Sequence, residues 1–324
     1  MYRKISAIAI STLIAAGIIV YMLARVWDNL LMAFQHVSLD FLVCAVITCL
    51  IAWGLRGLRY QIILKNLEIS VSTLYSTACI FVSQTANLIV PARLGDLVRI
   101  FLLKEQKNAT YSEGISSLVV ERVFDIATVA LLGLLSLVFV LNVPLWVTEL
   151  ILIPLILALI FFGFLLFIRK SSSENKYIRI ILTMLEEIRR ASLTVRALII
   201  LGVSSFIIWI LDTLVCMFIA MMFQVSIPFA VIALGIVIGN LVKAVPITPG
   251  GIGTYEASVA FTFSLAGVSP ISATLIAIID HLVKNLITLI GGAISIYYFG
   301  DCAFASVKNA ISAKFSGKNN DSSR

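Results

Sequence analysis

Eleven ionisable side chains stand where an apolar chain has least reason to place them. Arg93, Asp96, Arg99, Glu121, Arg122, Asp125, Asp212, Lys243, Glu256, Asp280 and Lys284 all lie within or between hydrophobic runs. Five are basic and six acidic, so the set can nearly compensate itself. A charge at mid-bilayer costs roughly 2.5–3.5 kcal/mol on insertion scales. Eleven facing lipid would cost on the order of 30 kcal/mol, more than the margin of about 5–15 kcal/mol that holds a typical fold. They must face each other or water. Guanidinium grips a phosphate through two parallel bonds, which makes Arg93, Arg99 and Arg122, with Lys284, candidates for holding a phosphate headgroup. Asp96, Glu121, Asp125, Glu256, Asp280 and His281 form the complementary set, able to balance charge, meet a cationic headgroup or take a proton. Helical spacing puts Glu121 and Asp125 on one face, and Asp280 and Lys284 on another. His281 is expected to be a member of this network rather than a catalytic base.

Two breaks must position these groups: "NLIVPARLGD" (Asn87–Asp96) and "VPITPGGIGTYE" (Val245–Glu256). Asn87, Pro91 and Gly95 interrupt the first apolar segment, Val71–Leu103, and Pro246 and Pro249 interrupt the second, Phe229–Ala266. Asp96 and Thr254 are expected to cap the short helices that follow. Such N-termini project unpaired N–H groups and partial positive charge, which suits anions. Gly250, Gly251 and Gly253 would let the backbone approach a ligand closely. Both segments are expected to be re-entrant hairpins, since irregular backbone at membrane depth needs protein or water around it. They also resemble each other. Pro91-Ala-Arg-Leu-Gly95 aligns with Pro249-Gly-Gly-Ile-Gly253, and downstream Glu121-Arg122 and Asp125 align with Asp280-His281 and Lys284. The first hairpin starts from the cytoplasm and the second from outside. That is an inverted-topology repeat, which in transporters puts the working site near the midplane between the halves.

The surrounding chain fits this picture. Its 324 residues are 60% hydrophobic and 13% charged, against roughly 25% charge in soluble domains. Six runs approach the ~20 residues a bilayer crossing needs: Ile5–Leu23, Phe41–Leu55, Ile115–Leu141, Leu145–Ile168, Ala197–Phe223 and Ile271–Phe299. The first is expected to be a retained helix, not a signal peptide, because no small-residue cleavage site follows it. The fold class is therefore an all-α polytopic membrane protein, with about six full transmembrane helices plus two re-entrant helical hairpins related as an inverted repeat. A single transmembrane domain is expected over residues 1–300, with repeats at about 39–141 and 197–299. A surface helix is expected at about 174–190, and residues 301–324 form a polar cytoplasmic tail. Of 24 Lys and Arg, 18 fall at the N-terminus, in residues 56–65, 104–107 and 169–196, and in the tail. The positive-inside rule then puts both termini and the loops near 60, 106 and 180 in the cytoplasm. Arg56 and Arg59, at the cytoplasmic end of a span, are candidates for gathering anionic lipid.

Several functions are set aside. No basic, aromatic-interleaved face suits nucleic acid. The five cysteines have no C-x-x-C spacing, which argues against metal or disulfides. No D-x-D, G-x-S-x-G, Walker A or H-E-x-x-H motif occurs, so no catalytic residue, metal or cofactor is expected. "RGLRYQIIL" (Arg56–Leu64), "NLIVPARLGDLVR", "ERVFD" (Glu121–Asp125) and "PITPGGIGTYE" (Pro246–Glu256) together resemble the lysylphosphatidylglycerol synthase transmembrane, or flippase-like, family over residues 5–300. Tyr60 stands where Trp is expected, and His281 where many relatives have Arg. The resemblance implies a domain of the cytoplasmic membrane associated with moving lipids, or lipid-linked precursors, between leaflets. Larger members add a soluble aminoacyl-transferase domain; none lies here, so lipid aminoacylation is not expected. The leading expectation is a translocase for an anionic phospholipid or polyprenyl-phosphate lipid, working alone or with a lipid-modifying or glycosyltransferase partner. Its rivals are a membrane-embedded transferase and an ion-coupled solute transporter.

Overall fold

The computed structural model describes residues 13, 16–24, 37–89, 93–140, 143–167, 174–245, 247–300, 302 and 306. The expected breaks at Pro91 and Pro246, the start of the first apolar run and nearly all of the tail lie outside the described residues. Among those described, every regular element is helical and no strand occurs. Helical residues 16–24 precede α1 (Leu39–Asn66), α2 (Thr73–Ile89), α3 (Gly95–Lys107), α4 (Tyr111–Leu137) and α5 (Leu145–Phe167). Then come α6 (Lys176–Ser192), α7 (Val195–Met222), α8 (Phe229–Ala244), a 3-10 turn at Pro249–Gly251, α9 (Thr254–Leu265) and α10 (Pro270–Phe299). In hydrocarbon every backbone N–H and C=O must be satisfied internally, and a helix does this within one segment.

Among the described residues, four helices, α1, α5, α7 and α10, are long and apolar enough to cross a membrane. Large apolar side chains such as Ile153, Leu157, Ile160 and Phe164 of α5 are exposed, a surface that lipid tails cover without cost and water does not. α4 has 27 residues, about 40 Å at 1.5 Å each, but carries Glu121, Arg122 and Asp125 within it. α1 differs from expectation. It continues to Asn66, so residues 56–65 are helical, and the loop expected near residue 60 begins only after Asn66.

The two broken segments yield four short helices: α2 has 17 residues, α3 13, α8 16 and α9 12. At 1.5 Å per residue they span about 18–26 Å, each short of the ~30 Å hydrocarbon core. Within each pair the helices pack on one another, α2 on α3 and α8 on α9.

The chain divides into two compact units. Unit I comprises Met1–Trp53, Asp125–Leu159 and Ser205–Ile287; unit II comprises Gly54–Phe124, Ile160–Ser204 and Thr288–Arg324. Unit I is cored by Val129, Ala130, Leu132, Val147, Ile151, Leu234, Val237, Ile238 and Leu241. Its α8–α9 hairpin is tight because α8 presents glycines one turn apart. A Cβ on Gly235 would lie 2.5 Å from Phe263, and one on Gly239 would lie 2.7 Å from Val259. This is the small-xxx-small spacing that lets apolar helices approach closely in membranes. In unit II, Thr85 Oγ1 donates to the Thr288 carbonyl (2.9 Å) and Tyr75 meets Phe299 edge-on. α6 starts at an Asn175 cap that accepts the Tyr177 N–H (2.9 Å). Its C-terminal end docks: Glu187 accepts from Ser112 and Ser116, and Ile188, Ala191 and Ser192 are buried. Its N-terminal end leaves Tyr177, Ile178 and Ile181 exposed.

Candidate functional site

Among the described residues, most of the ionisable groups of the apolar segments collect into a network in each unit. In unit II the network joins the α2–α3 hairpin to α4. Asp96, in the first turn of α3, accepts from Ser83 Oγ (3.2 Å), Asn87 Nδ2 (3.0 Å) and Arg122 Nη2 (3.2 Å). Arg99, one turn further along α3, donates through Nη1 to Glu121 Oε2 (2.5 Å). The exchange is reciprocal: α3 supplies an acid and a base, and α4 supplies a base and an acid. Arg99 has no exposed surface, while Asp96 and Arg122 side chains are 17% and 29% exposed. Its guanidinium lies over the Tyr60 ring, 4.6 Å from the centroid, and the Tyr60 hydroxyl is 3.1 Å from Ser117 Oγ. Of the five donors a guanidinium carries, those on Arg99 Nε and Nη2 have no hydrogen-bond partner among the described residues. Arg93 holds a left-handed φ of 54° in the turn before α3 and lies close enough to act electrostatically on Asp96.

Several expectations are corrected here. Asp96 does not cap α3; Leu94 occupies that position without a side-chain bond, and the Asp96 oxygens are taken by Ser83, Asn87 and Arg122. Asn87, expected as a break, is not one: it lies inside α2, where its side chain holds the acid. Gly95 serves close approach: a Cβ there would collide with the Ser83 carbonyl and with Asn87. Arg59 is 2% exposed, so its charge sits inside the protein rather than being offered to lipid; Arg56 is partly exposed.

In unit I the network joins the α8–α9 hairpin to α10 and α7. His281 Nδ1 is 2.7 Å from Glu256 Oε1, and its Nε2 is 3.2 Å from Lys243 Nζ. The Tyr255 ring stacks on the imidazole at 4.4 Å, and its hydroxyl donates to Asp280 Oδ2 (2.7 Å). Lys284 Nζ lies 2.8 and 2.9 Å from the two Asp280 oxygens and donates to the Asp212 carbonyl (3.2 Å). Asp280, His281, Tyr255, Glu256 and Asp212 are all buried. Asp125, expected beside Glu121, accepts a hydrogen bond from Trp209 Nε1 (3.3 Å).

The glycine-rich turn also departs from expectation. Gly250, Gly251 and Gly253 take φ of 61°, 76° and 86°, in the left-handed region that favours glycine. Yet the space beside Gly251 is filled by the Lys243 stem, 2.6 Å from where a Cβ would stand, so the close approach is made by the protein itself. Thr254 is the first residue of α9 and not its cap; it donates to the Gly251 carbonyl (3.1 Å). The Gly253 N–H donates to Glu256 Oε2 (2.7 Å). The expected anion position at this helix start therefore already holds a carboxylate. Tyr255, Trp209 and the role of Lys243 escaped sequence reasoning, because an aromatic or a lone lysine in an apolar run reads as packing or anchoring. Among the described residues no three His, Cys, Asp or Glu converge as metal ligands would.

Apolar spans, short paired helices and buried ion networks define a helical, polytopic membrane protein. Residues 8–292 match the family described as the lysylphosphatidylglycerol synthase TM region, and the chain belongs to that family. Glycosyltransferase AglD of Haloferax volcanii is 30% identical over 298 residues, covering 76% of this chain and 47% of AglD. The chain thus spans less than half the length of that relative. UPF0104 membrane protein MJ1078 of Methanocaldococcus jannaschii is 29% identical over 217 residues, covering 65% of this chain and 92% of that protein. A UPF0104 membrane protein of Methanothermobacter thermautotrophicus is 22% identical over 289 residues, with 80% and 86% coverage.

Proposed function

We propose that this chain is a translocase of the cytoplasmic membrane that moves a phosphate-bearing lipid, an anionic phospholipid or a polyprenyl-phosphate-linked precursor, between leaflets. The observation that carries the reading is Arg99: a fully buried guanidinium on a broken membrane hairpin, with two donor nitrogens lacking hydrogen-bond partners among the described residues. Arg99 Nη2 stands only in ion-pair range of Asp96 Oδ1, at 3.8 Å. Burying cationic donors without hydrogen bonds is costly, and a phosphate oxygen is an acceptor that repays that cost. Arg122 and Asp96 are the partly exposed members of the same network, so a headgroup meets them first. Phosphate oxygens replacing Asp96 on Arg122 release the acid to Ser83 and Asn87, and Arg99 then reaches the bound anion. On this reading the two hairpins are re-entrant and related as an inverted repeat among six spans, and both termini are cytoplasmic.

The test is leaflet exchange in liposomes carrying labelled phosphatidylglycerol or a labelled polyprenyl phosphate. Arg122→Ala removes charge-assisted contacts of about 1.5–3 kcal/mol, which slows exchange roughly 10- to 100-fold. Exchange by Arg122→Ala at the wild-type rate rejects the arginine-lined route.

The similarity to glycosyltransferase AglD favours a second reading, in which this chain supplies the membrane part of a transferase acting on polyprenyl-phosphate lipids, alone or with a partner. Turnover of a lipid-linked sugar donor by the purified chain distinguishes it from translocation without chemistry.

A further inference from the structure

We propose that Lys243, His281 and Glu256 form a proton relay that couples translocation to the proton gradient; the inference rests on the translocase reading and names its driving force. The three groups come from three helices, α8, α10 and α9, and stand in one hydrogen-bonded series through a single imidazole: Nζ to Nε2 at 3.2 Å, Nδ1 to Oε1 at 2.7 Å. An ammonium can only donate, and an ionised carboxylate can only accept. With Lys243 and Glu256 charged, His281 must therefore be neutral, accepting at Nε2 and donating from Nδ1.

The same heavy-atom positions serve a second state. The proton on Lys243 Nζ passes to His281 Nε2 while the Nδ1 proton passes to Glu256 Oε1. N–H bonds break at Nζ and Nδ1, and an N–H and an O–H form at Nε2 and Oε1. The imidazole ends neutral in its other tautomer, and the ion pair becomes a neutral amine and a neutral acid. No atom other than hydrogen moves. In a dry interior an ion pair gains little over its neutral form, because desolvation offsets the attraction. Carboxylate–histidine chains inside membranes mark proton paths in pumps.

The surroundings hold the ring in line. Tyr255 stacks on it and spends its hydroxyl on Asp280, and Asp280 is itself engaged by Lys284, which also donates to the Asp212 carbonyl of α7. The charged groups acting on His281 are Lys243, Glu256 and Asp280. Glu256 also connects the relay to the hairpin, because its second oxygen accepts the Gly253 N–H at the start of α9. A proton on Glu256 removes the negative charge from that helix start.

The experiment uses the full chain in vesicles of phosphatidylcholine and phosphatidylglycerol, with trapped pyranine and labelled phosphatidylglycerol, under an imposed pH step. Proton uptake and label exposure are read together. The relay requires uptake several-fold above protein-free vesicles, falling to the protein-free rate in His281→Gln and Glu256→Gln. Wild-type uptake no faster than empty vesicles, or undiminished uptake by His281→Gln, overturns it. Infrared difference spectra of the wild-type protein on acidification guard against misfolded variants. A protonated-carboxyl band that is lost in Glu256→Gln and kept in Asp280→Asn supports the relay, and its absence from wild type overturns it. Lipid exchange without proton uptake leaves the translocase and removes the relay. Uptake without lipid exchange removes the translocase and with it the coupling, leaving proton transfer through the three groups alone.

Discussion

Arg99 and Glu121 illustrate what a buried ion pair does for one residue at a time. Each is nearly inaccessible, and the short bond between them is the main compensation for taking both from water. Removing one partner strands the other, at about 3–5 kcal/mol. Glu121→Ala should therefore lower the thermal midpoint in detergent markedly, whereas Glu121→Ala combined with Arg99→Met should recover much of the loss. If the double variant is no more stable than Glu121→Ala, the pair is not the source of the effect. Tyr255→Phe makes a milder case. It keeps the stack on His281 and deletes the bond to the Asp280 carboxylate, a loss of about 1.5–3 kcal/mol, read as a smaller fall in the same midpoint.

Elements respond to shape more than to charge. α9 lies against the glycine face of α8, so Gly239→Leu must push Val259 and Tyr255 aside. Overpacking of this kind costs about 1–3 kcal/mol. Gly202→Ala on α7 is the matched control, because nothing lies within 4 Å of the added carbon. The expected outcome is a clear drop in thermal stability for Gly239→Leu and none for Gly202→Ala. α6 allows a different measurement. Its exposed Tyr177, Ile178 and Ile181 share a helix with exposed Arg189 and Arg190, the pattern of an interfacial helix. A spin label at Ile181 should collide with lipid-soluble oxygen, and one at Glu186 with a water-soluble relaxant. Equal accessibility at both positions would remove α6 from the membrane surface.

At the scale of the whole chain the testable property is orientation. Basic residues concentrate in 169–196 and are absent from 223–228, so the positive-inside rule puts residue 174 in the cytoplasm and residue 226 outside. In a chain whose 5 cysteines are replaced, Ser226→Cys should react with an impermeant maleimide in intact cells. Glu174→Cys should react only after permeabilisation. The reverse pattern would invert the topology and with it the direction assigned to the hairpins.

Much of this molecule could be read before any coordinates. Apolar runs of about 20 residues announce spans, because the bilayer imposes a length on every crossing helix, and α5, α7 and α10 begin and end within two residues of their runs. Prolines and glycines marked the two interruptions, since backbone that cannot continue a helix declares itself locally. What local pattern could not supply was partnership. Asp96 resembled a cap and is held instead by Ser83, Asn87 and Arg122; Arg59 resembled a lipid anchor and is buried; the helix start at Gly253 looked open and carries Glu256. Each of those outcomes depends on which distant helix approaches. A charged side chain in an apolar setting takes the nearest compensating group, and only the folded chain decides which group is nearest.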